Sequence, residues 1–159
     1  MPRHTSRDEE ISETVQSLRR IVKTIQDYSQ QVSSEFGVTG PQLWALKAIL
    51  EHGALPLGQL SKTMYLHPST VTGVVDRLEG KGYVVRERDT ADRRVVTVSL
   101  TPAGKELVKK APNPVQGKMI YGLRKLKRDE LHVIYESIRK LMEIVEAENV
   151  KVTFFFDKE

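Results

Sequence analysis

Apolar residues near the start of the chain recur at alternating intervals of four and three positions. The series is Ile11, Val15, Leu18, Val22, Ile25, Val32 and Phe36, with Ser29 at the one polar place. This spacing puts one apolar stripe along a helix and predicts packing against another helix, from the same chain or from a partner. Gly37 is expected to end the helix. Thr39 and Gln42 form a capping box that opens a second helix, from about Gly40 to His52.

Two short helical patterns follow closely on one another. The first has apolar residues at helical spacing over positions 57–64, and a tight turn over 65–67 leads to Pro68, a favoured first residue of a helix. In the second pattern the apolar residues share one buried face: Val71, Val74, Val75 and Leu78. Two short helices joined by such a turn predict a helix-turn-helix.

Two strand patterns frame a charged segment in the middle of the chain. Residues 84–86 and 95–100 are rich in β-branched side chains, and the second run alternates apolar with polar positions, as a half-buried strand does. The segment between them, Asp89 to Arg94, is not apolar. The pattern therefore predicts a β-hairpin with a charged tip, the wing of a winged helix.

The rest of the chain is predicted to be helical. Thr101 ahead of Pro102 is expected to cap a helix that ends near Pro112, and Asn113 to Gln116 reads as a capping box for a helix to about Arg124. The last helix has apolar residues at 3–4 spacing: Leu131, Ile134, Ile138, Leu141 and Val145. The apolar segment 151–156 is too short for a helix of its own and is expected to dock on another surface. The fold class is mainly α with a small β-hairpin.

Composition and charge allow an anionic partner without requiring one. The 159 residues suit one domain or two small lobes with a shared core, and the formal net charge is +4. Residues 103–128 carry eight bases and one acid, whereas residues 129–159 carry eight acids and four bases. The basic run is either a solvated helix face or a surface that meets phosphates, and the sequence leaves both open.

Several classes of protein are not expected from this sequence. The chain has no cysteine, which removes disulfides, thiol redox sensing and cysteine-ligated zinc. The four histidines have no metal-ligand spacing, and there is no phosphate loop or nucleophile elbow, so we expect no metal, no cofactor and no enzyme activity. A signal peptide and a membrane-length apolar segment are also missing, which predicts a cytoplasmic protein.

The second helix of the helix-turn-helix has a polar face opposite its valines. It carries Ser69, Thr70, Thr72, Gly73 and Arg77, together with Asp76. Hydroxyl groups and the threonine methyl are able to contact phosphates and bases, although an ordinary solvated surface is the alternative. Serine and threonine are poor residues in mid-helix, and Gly73 costs about 1 kcal/mol relative to alanine, so the face is more easily explained if DNA approaches it closely.

The hairpin tip contains Asp92, Arg93 and Arg94. Asp92 and Arg94 are two positions apart, so the carboxylate is able to hold the Arg94 guanidinium in one rotamer. A fixed arginine suits a narrow minor groove, where the negative potential is focused. The alternative is a solvated tip with a weak surface ion pair, and the spacing alone does not decide between them.

These motifs together resemble the MarR family of transcriptional regulators over about residues 11–148. The resemblance lies in Ser69-Thr-Val-Thr72, Val75-Asp-Arg-Leu-Glu79, Lys81-Gly-Tyr-Val84, Asp89-Thr-Ala-Asp-Arg-Arg94 and Val98-Ser-Leu-Thr-Pro-Ala-Gly104. It implies a homodimer that binds double-stranded DNA, with the second helix of the helix-turn-helix in the major groove. By position, Arg94 would enter the minor groove and Asp92 would orient it. Residues 1–36 and 105–159 would form the helical dimerisation stem, and 37–104 the winged helix-turn-helix lobe.

The resemblance also implies regulation by a small molecule. Members of the family often bind phenolic compounds or other aromatic carboxylates between the stem and the DNA-binding lobe, and most often act as repressors. Tyr28, Trp44 and Tyr65 either line such a crevice or belong to the core, which is the usual place for aromatic residues at helical spacing. A protein-interaction module that uses the same fold without specific DNA binding is the alternative function.

The chain departs from the family pattern in two places that bear on the site. His67 stands before Pro68 where serine is common, so a histidine replaces the expected hydroxyl cap of the recognition helix. Ala111-Pro-Asn-Pro114 is expected to interrupt a region that is one long helix in many members. The aromatic segment after Lys151 has no assigned counterpart.

Overall fold

The computed structural model describes residues 5–150, and they form a mainly helical protein with a small sheet. The predicted fold class is confirmed. The elements are α1 (Arg7–Phe36), α2 (Gly40–His52), β1 (Leu55–Pro56), α3 (Leu57–Met64), α4 (Pro68–Gly80), β2 (Val84–Arg88), β3 (Val96–Leu100), α5 (Pro102–Lys110), α6 (Val115–Lys125) and α7 (Arg128–Ile144). Within this described range no helix is both long and apolar enough to cross a membrane.

The helix ends follow from local capping residues. Gly37 ends α1 in the left-handed region, at φ 64°, which glycine adopts without strain. At the start of α2 the Gln42 N–H donates to the Thr39 hydroxyl at 3.4 Å, and the Thr39 N–H donates to the Gln42 amide oxygen at 3.1 Å. Thr101 caps α5 by accepting from the Gly104 N–H at 3.1 Å. These three predictions are confirmed.

One predicted cap is wrong. The helix α6 begins at Val115 without a side-chain cap, since Pro114 occupies the N-cap position. Asn113 instead accepts a hydrogen bond from Lys47 Nζ at 3.2 Å, and the same nitrogen donates to the Ala111 carbonyl at 2.9 Å. The Gln116 side chain is buried rather than turned back to the cap. The predicted break between α5 and α6 is nevertheless present.

The sheet has three antiparallel strands in the order β1-β3-β2. The β2–β3 pair is the predicted hairpin, with Val84 opposite Leu100 and Arg88 opposite Val96. The sequence did not reveal β1, which has two residues, one of them a proline, and pairs Leu55 with Val98. Because β1 holds the far edge of β3, the hairpin is attached to the helical core on one side.

The core lies beneath the helix-turn-helix and the sheet. Side chains from α2, α3, α4, α5 and all three strands meet there, and those of α4 are the four predicted apolar residues. The fully buried members with the largest side chains are Leu46, Ile49, Leu60, Met64, Val71, Val75, Leu78, Val84 and Val98. The burial of these side chains fixes the orientation of α4 and therefore decides which of its faces reaches solvent.

Within residues 5–150, the helices α1 and α7 leave most of their apolar stripes uncovered. In α1 only Ile25, Tyr28 and Val32 are buried, and Ile11 at the other end is 54% exposed. Among the described residues, α7 contributes no buried side chain, although Ile134, Ile138 and Met142 recur along it. The predicted docking of segment 151–156 lies outside the described residues.

Candidate nucleic-acid interface

The outer face of α4 is polar, and the structure places the predicted residues on it. Ser69, Thr72 and Arg77 are exposed, and Thr70 and Gly73 are half-buried. A Cβ atom added to Gly73 would meet nothing within 4 Å, so the glycine is not required by packing inside the chain. Residues 5–150 therefore leave this face of α4 open, and another molecule is able to contact it.

Two hydroxyl groups at the start of α4 are held by local hydrogen bonds. His67 is the N-cap, and its Nδ1 accepts from the Ser69 N–H at 3.3 Å and lies 2.7 Å from the Ser69 Oγ. The Thr72 hydroxyl donates to the Pro68 carbonyl at 2.9 Å, which leaves its oxygen and its methyl group available. The histidine therefore takes the capping place that the sequence indicated for it.

Arg86 joins the wing to α4, a role that the sequence analysis missed. This β2 residue contacts Asp76 at 2.6 Å and Glu79 at 2.7 Å, both on α4, and its side chain is only 21% exposed. Burial disfavours the charged form of Arg86, but hydrogen bonds from the guanidinium to the two carboxylates outweigh burial and raise its pKa. The only signal for this contact in the sequence was the spacing of Asp76 and Glu79, which are three positions apart on α4.

The wing tip holds Arg94 in the geometry that the sequence predicted. Arg94 Nε donates to one Asp92 oxygen at 3.1 Å and a terminal nitrogen donates to the other at 3.2 Å, while the Arg94 side chain is 92% exposed. The Arg94 side chain, followed by its backbone N–H, holds the pKa of the Asp92 carboxyl below its ordinary value. Over residues 5–150 the Arg93 side chain has no hydrogen bond or ion pair.

A second carboxylate shapes the same turn. Asp89 Oδ1 accepts the backbone N–H of Asp92 at 3.1 Å and that of Ala91 at 2.7 Å, and these bonds lower the pKa of Asp89. Backbone hydrogen bonds from Asp89 to Val95 and from Val95 to Asp92 close the tip. Asp89 therefore positions the backbone on which the Asp92–Arg94 pair is built. The sequence analysis did not assign it this role.

Several bases of the run 103–128 are engaged within the chain. Lys109 pairs with Glu106 at 3.2 Å, and Lys125 Nζ lies 4.2 Å from the centre of the Tyr121 ring. Arg124 donates to the Tyr65 hydroxyl at 3.1 Å, which ties α6 to the end of α3. The remaining lysines of α5, Lys105 and Lys110, are exposed.

A cavity of about 450 Å³ lies between the end of α3 and the helices α6 and α7; we call it the α3–α6 cavity. Trp44, Tyr65, Gln116 and Arg124 line it, among apolar neighbours. Of the three candidate aromatic residues, Tyr28 is core, as the sequence favoured, and burial raises the pKa of its hydroxyl. The core interpretation is wrong for Tyr65, which is 65% exposed, while Trp44 both packs in the core and borders the cavity.

Comparison with known proteins identifies the family of the chain. The model of the MarR family matches residues 38–96. The HTH-type transcriptional regulator YsmB of Bacillus subtilis is 30% identical over 133 residues, which cover 84% of this chain and 91% of the relative. The chain belongs to the MarR family.

Two further comparisons bear on function. The HTH-type transcriptional repressor MdtR of B. subtilis is 36% identical over 99 residues, 62% of this chain and 64% of the relative. The structure of Bordetella bronchiseptica BpsR, whose DNA binding is regulated by 6-hydroxynicotinic acid, is 29% identical with a TM-score of 0.55, and the match covers 81% of this chain and 98% of BpsR. This protein is a DNA-binding transcriptional regulator of MarR type, and its relatives are regulators rather than enzymes.

Proposed function

We propose that this MarR-family protein is a homodimeric repressor that binds a pseudo-palindromic operator. The observation that carries the proposal is the coupling of two reading elements on one lobe: Arg86 ties the wing to α4 while Asp92 fixes Arg94 at the wing tip. A protein built this way is able to read two adjacent grooves at a fixed separation. The similarity to MdtR, which is named a repressor, supports repression rather than activation of transcription.

Each predicted site residue has a role in this proposal. Arg94 enters the minor groove with Asp92 as its holder, and Arg93 adds positive charge beside the phosphates. The α4 residues that face the major groove are Ser69, Thr70, Thr72, Gly73 and Arg77. Residues 37–104 are the DNA-binding lobe.

The exposed apolar stripes of the terminal helices support a homodimer. An apolar face as long as that of α1 and α7 is stable in water when another surface covers it. A second copy of the chain supplies the same stripes, and a two-fold arrangement buries both at once. Residues 1–36 and 105–159 then form the dimerisation stem and hold the two recognition helices about one helical turn apart, roughly 34 to 36 Å.

The α3–α6 cavity supports release of the operator by a small aromatic or anionic molecule. It lies between helices of the proposed lobe and helices of the proposed stem, and Tyr65 on its wall is only three residues from the start of α4. An occupant that favours another lobe position changes the separation of the two recognition helices and lowers the affinity for DNA. The regulation of BpsR by a small molecule supports such a mechanism here.

Selection from a random duplex pool followed by hydroxyl-radical footprinting tests the proposal. We expect an enriched inverted repeat, two equivalent protected patches one helical turn apart, and an affinity that falls steeply with salt. Enrichment of a single half-site would contradict the dimer. Failure to retain any duplex would contradict operator binding and favour a protein-interaction module.

A further inference from the structure

Ser69 and Thr72 carry exposed hydroxyl groups that both form hydrogen bonds inside the chain. The two residues are three positions apart, so they lie on one face of α4. A hydroxyl group has one hydrogen to donate and two lone pairs with which it accepts. The partner that takes the hydrogen therefore decides what each group is able to offer to DNA.

The direction of the Thr72 hydrogen bond follows from its partner. Thr72 Oγ1 lies 2.9 Å from the Pro68 carbonyl oxygen, and a carbonyl oxygen is only able to accept. The Thr72 hydrogen is therefore used within α4. Only the lone pairs of Oγ1 remain for another molecule.

At Ser69 the direction is set by His67, the N-cap of α4. The His67 Nδ1 atom accepts the Ser69 backbone N–H at 3.3 Å, so this ring nitrogen carries no proton. The same Nδ1 atom lies 2.7 Å from Ser69 Oγ, and only the hydroxyl has a hydrogen to place between them. Ser69 therefore donates to His67, and its lone pairs remain for another molecule.

A hydroxyl group that offers only lone pairs distinguishes among the groups of a DNA duplex. Phosphate oxygens, guanine N7 and O6, and thymine O4 are acceptors and supply no hydrogen to it. The major-groove donors are the amino groups of adenine and cytosine. If Ser69 or Thr72 donated to an acceptor on DNA, an internal hydrogen bond would first have to break, and one bond would only replace another.

We propose that Ser69 and Thr72 select adenine or cytosine through the amino group of the base, and that His67 is the positioning residue that gives Ser69 this preference. The inference rests on the proposed contact of α4 with the major groove, and it specifies the base chemistry that α4 selects. A hydroxyl group with a free hydrogen would accept from one base or donate to another. The internal hydrogen bonds of α4 remove that ambiguity.

Selection from a random duplex pool identifies the bases concerned. The full-length wild-type protein is compared with Ser69→Ala and Thr72→Val, which remove one hydroxyl group each. The base pair that each hydroxyl contacts is the one at which the corresponding variant loses its preference. We expect adenine or cytosine at both positions in the wild-type selection.

Base analogues then test the amino group itself. In the selected operator, 2-aminopurine replaces the adenine, or N4-methylcytosine replaces the cytosine, so that the amino hydrogen is lost from the major groove while pairing is kept. Affinity of the wild-type protein, measured by fluorescence anisotropy, should fall about tenfold when both half-sites are substituted at the Ser69 position. The Ser69→Ala protein should bind the two duplexes equally well, because it has no hydroxyl group to lose a partner.

A matched control removes an acceptor from the same base pair instead of a donor. The 7-deaza analogue of its purine lacks N7 and keeps every amino group. Any loss of affinity with this analogue should be the same in the wild-type protein and in Ser69→Ala. A loss that depended on Ser69 would show that the hydroxyl donates to DNA and would overturn the inference.

The His67→Gly variant tests the positioning role. Glycine is tolerated at an N-cap, so α4 should remain folded, as circular dichroism is able to check. The Ser69 hydroxyl then has no internal acceptor, and its preference for adenine or cytosine over guanine and thymine should fall from about tenfold to about twofold or less. The preference at the Thr72 position should stay unchanged. Equal weakening on all sequences would show that His67 is only a cap and would overturn its positioning role.

The remaining outcomes separate this inference from the DNA-binding proposal. Guanine or thymine at the selected positions, or unchanged preferences in Ser69→Ala and Thr72→Val, would overturn the inference and leave operator binding in place. The analogue measurements decide the inference even if His67→Gly fails to fold. Failure of the wild-type protein to enrich any duplex would contradict operator binding itself, and the inference with it.

Discussion

At the scale of single residues, the wing tip uses two carboxylates for two tasks. Asp89 orders the backbone of the turn through the N–H groups of Ala91 and Asp92, and Asp92 then holds the Arg94 guanidinium. An exposed ion pair contributes little to stability. The ion pair instead reduces the number of rotamers of an otherwise solvated arginine, and in the proposed minor-groove contact this lowers the entropic cost of binding.

The pKa of Asp92 measures this contact directly. Arg94→Ala removes the side-chain bond that is the largest cause of the depressed pKa, so the Asp92 pKa should rise toward its ordinary value of 3.8. Because the folded pKa is depressed, the stabilisation of the tip is present above 3.8 and is lost as the pH falls through the lower folded value. Carboxyl ¹³C NMR titration checks this. Arg93→Ala is the control, and an Asp92 pKa that does not move in Arg94→Ala would contradict the pairing.

A substitution at Gly73 should change the stability of the protein and its affinity for DNA in opposite directions. Gly73→Ala should stabilise the protein by up to about 1 kcal/mol, since alanine is the better helix former and the added Cβ meets nothing within 4 Å. DNA should bind about tenfold more weakly, a difference of ~1.4 kcal/mol, because the new methyl group separates α4 from the bases. Urea unfolding and fluorescence anisotropy measure the two effects.

Gly122 is the matched control for Gly73. It lies in α6 with equally open space around it, so Gly122→Ala should raise stability without a change in operator affinity. Unchanged affinity in Gly73→Ala would mean that DNA does not approach this part of α4.

At the scale of elements, the central feature is the attachment of the wing to α4, the two elements that we propose contact DNA. Arg86 contacts the Asp76 and Glu79 carboxylates on α4 and also donates to the Thr72 carbonyl at 3.4 Å. A hairpin alone is a flexible element, and β1 restrains only the β3 edge. Arg86 supplies the restraint on the β2 side and fixes the distance between the hairpin and α4.

Loss of this attachment should be visible in stability. Arg86→Gln leaves two carboxylates without their partner and should lower the free energy of unfolding by roughly 1 to 3 kcal/mol, since the arginine is partly buried. Arg88→Gln changes an exposed arginine on the same strand and should shift the free energy by less than about 0.5 kcal/mol. Urea unfolding gives both values. Equal stabilities of the two variants would show that Arg86 does not anchor the wing.

Elements whose ends depend on neighbouring residues were predictable from the sequence. Thr39 and Gln42 are three positions apart, and Asp92 and Arg94 are two apart. The partners of each interaction are therefore close neighbours in the sequence. The missed interactions join distant positions, such as the pairing of Leu55 with Val98. Asn113 is a similar case, because Lys47, 66 residues away, takes the side chain that the local pattern assigned to a cap. Tertiary packing decides these contacts.

At the scale of the whole molecule, the two uncovered apolar stripes and the lobe have to be considered together. One chain presents one recognition helix and one Arg94, whereas the proposed dimer presents two of each at a fixed separation. Both Arg94 side chains contribute to every complex with a full operator, so the loss from a substitution is counted twice in the binding free energy. Binding to an isolated half-site should depend on one Arg94 only and should therefore be weaker than binding to the full operator.

Affinity of the Arg94→Ala protein for the selected operator duplex is the most direct test of this account. Fluorescence anisotropy at fixed salt should show binding about 100-fold weaker than that of the wild-type protein, a loss of ~2.7 kcal/mol in binding free energy. We expect this loss because both wings lose their minor-groove contact. Arg19→Ala removes an exposed arginine of α1 and should leave the affinity within about twofold. Equal operator affinity of Arg94→Ala and Arg19→Ala would contradict the account.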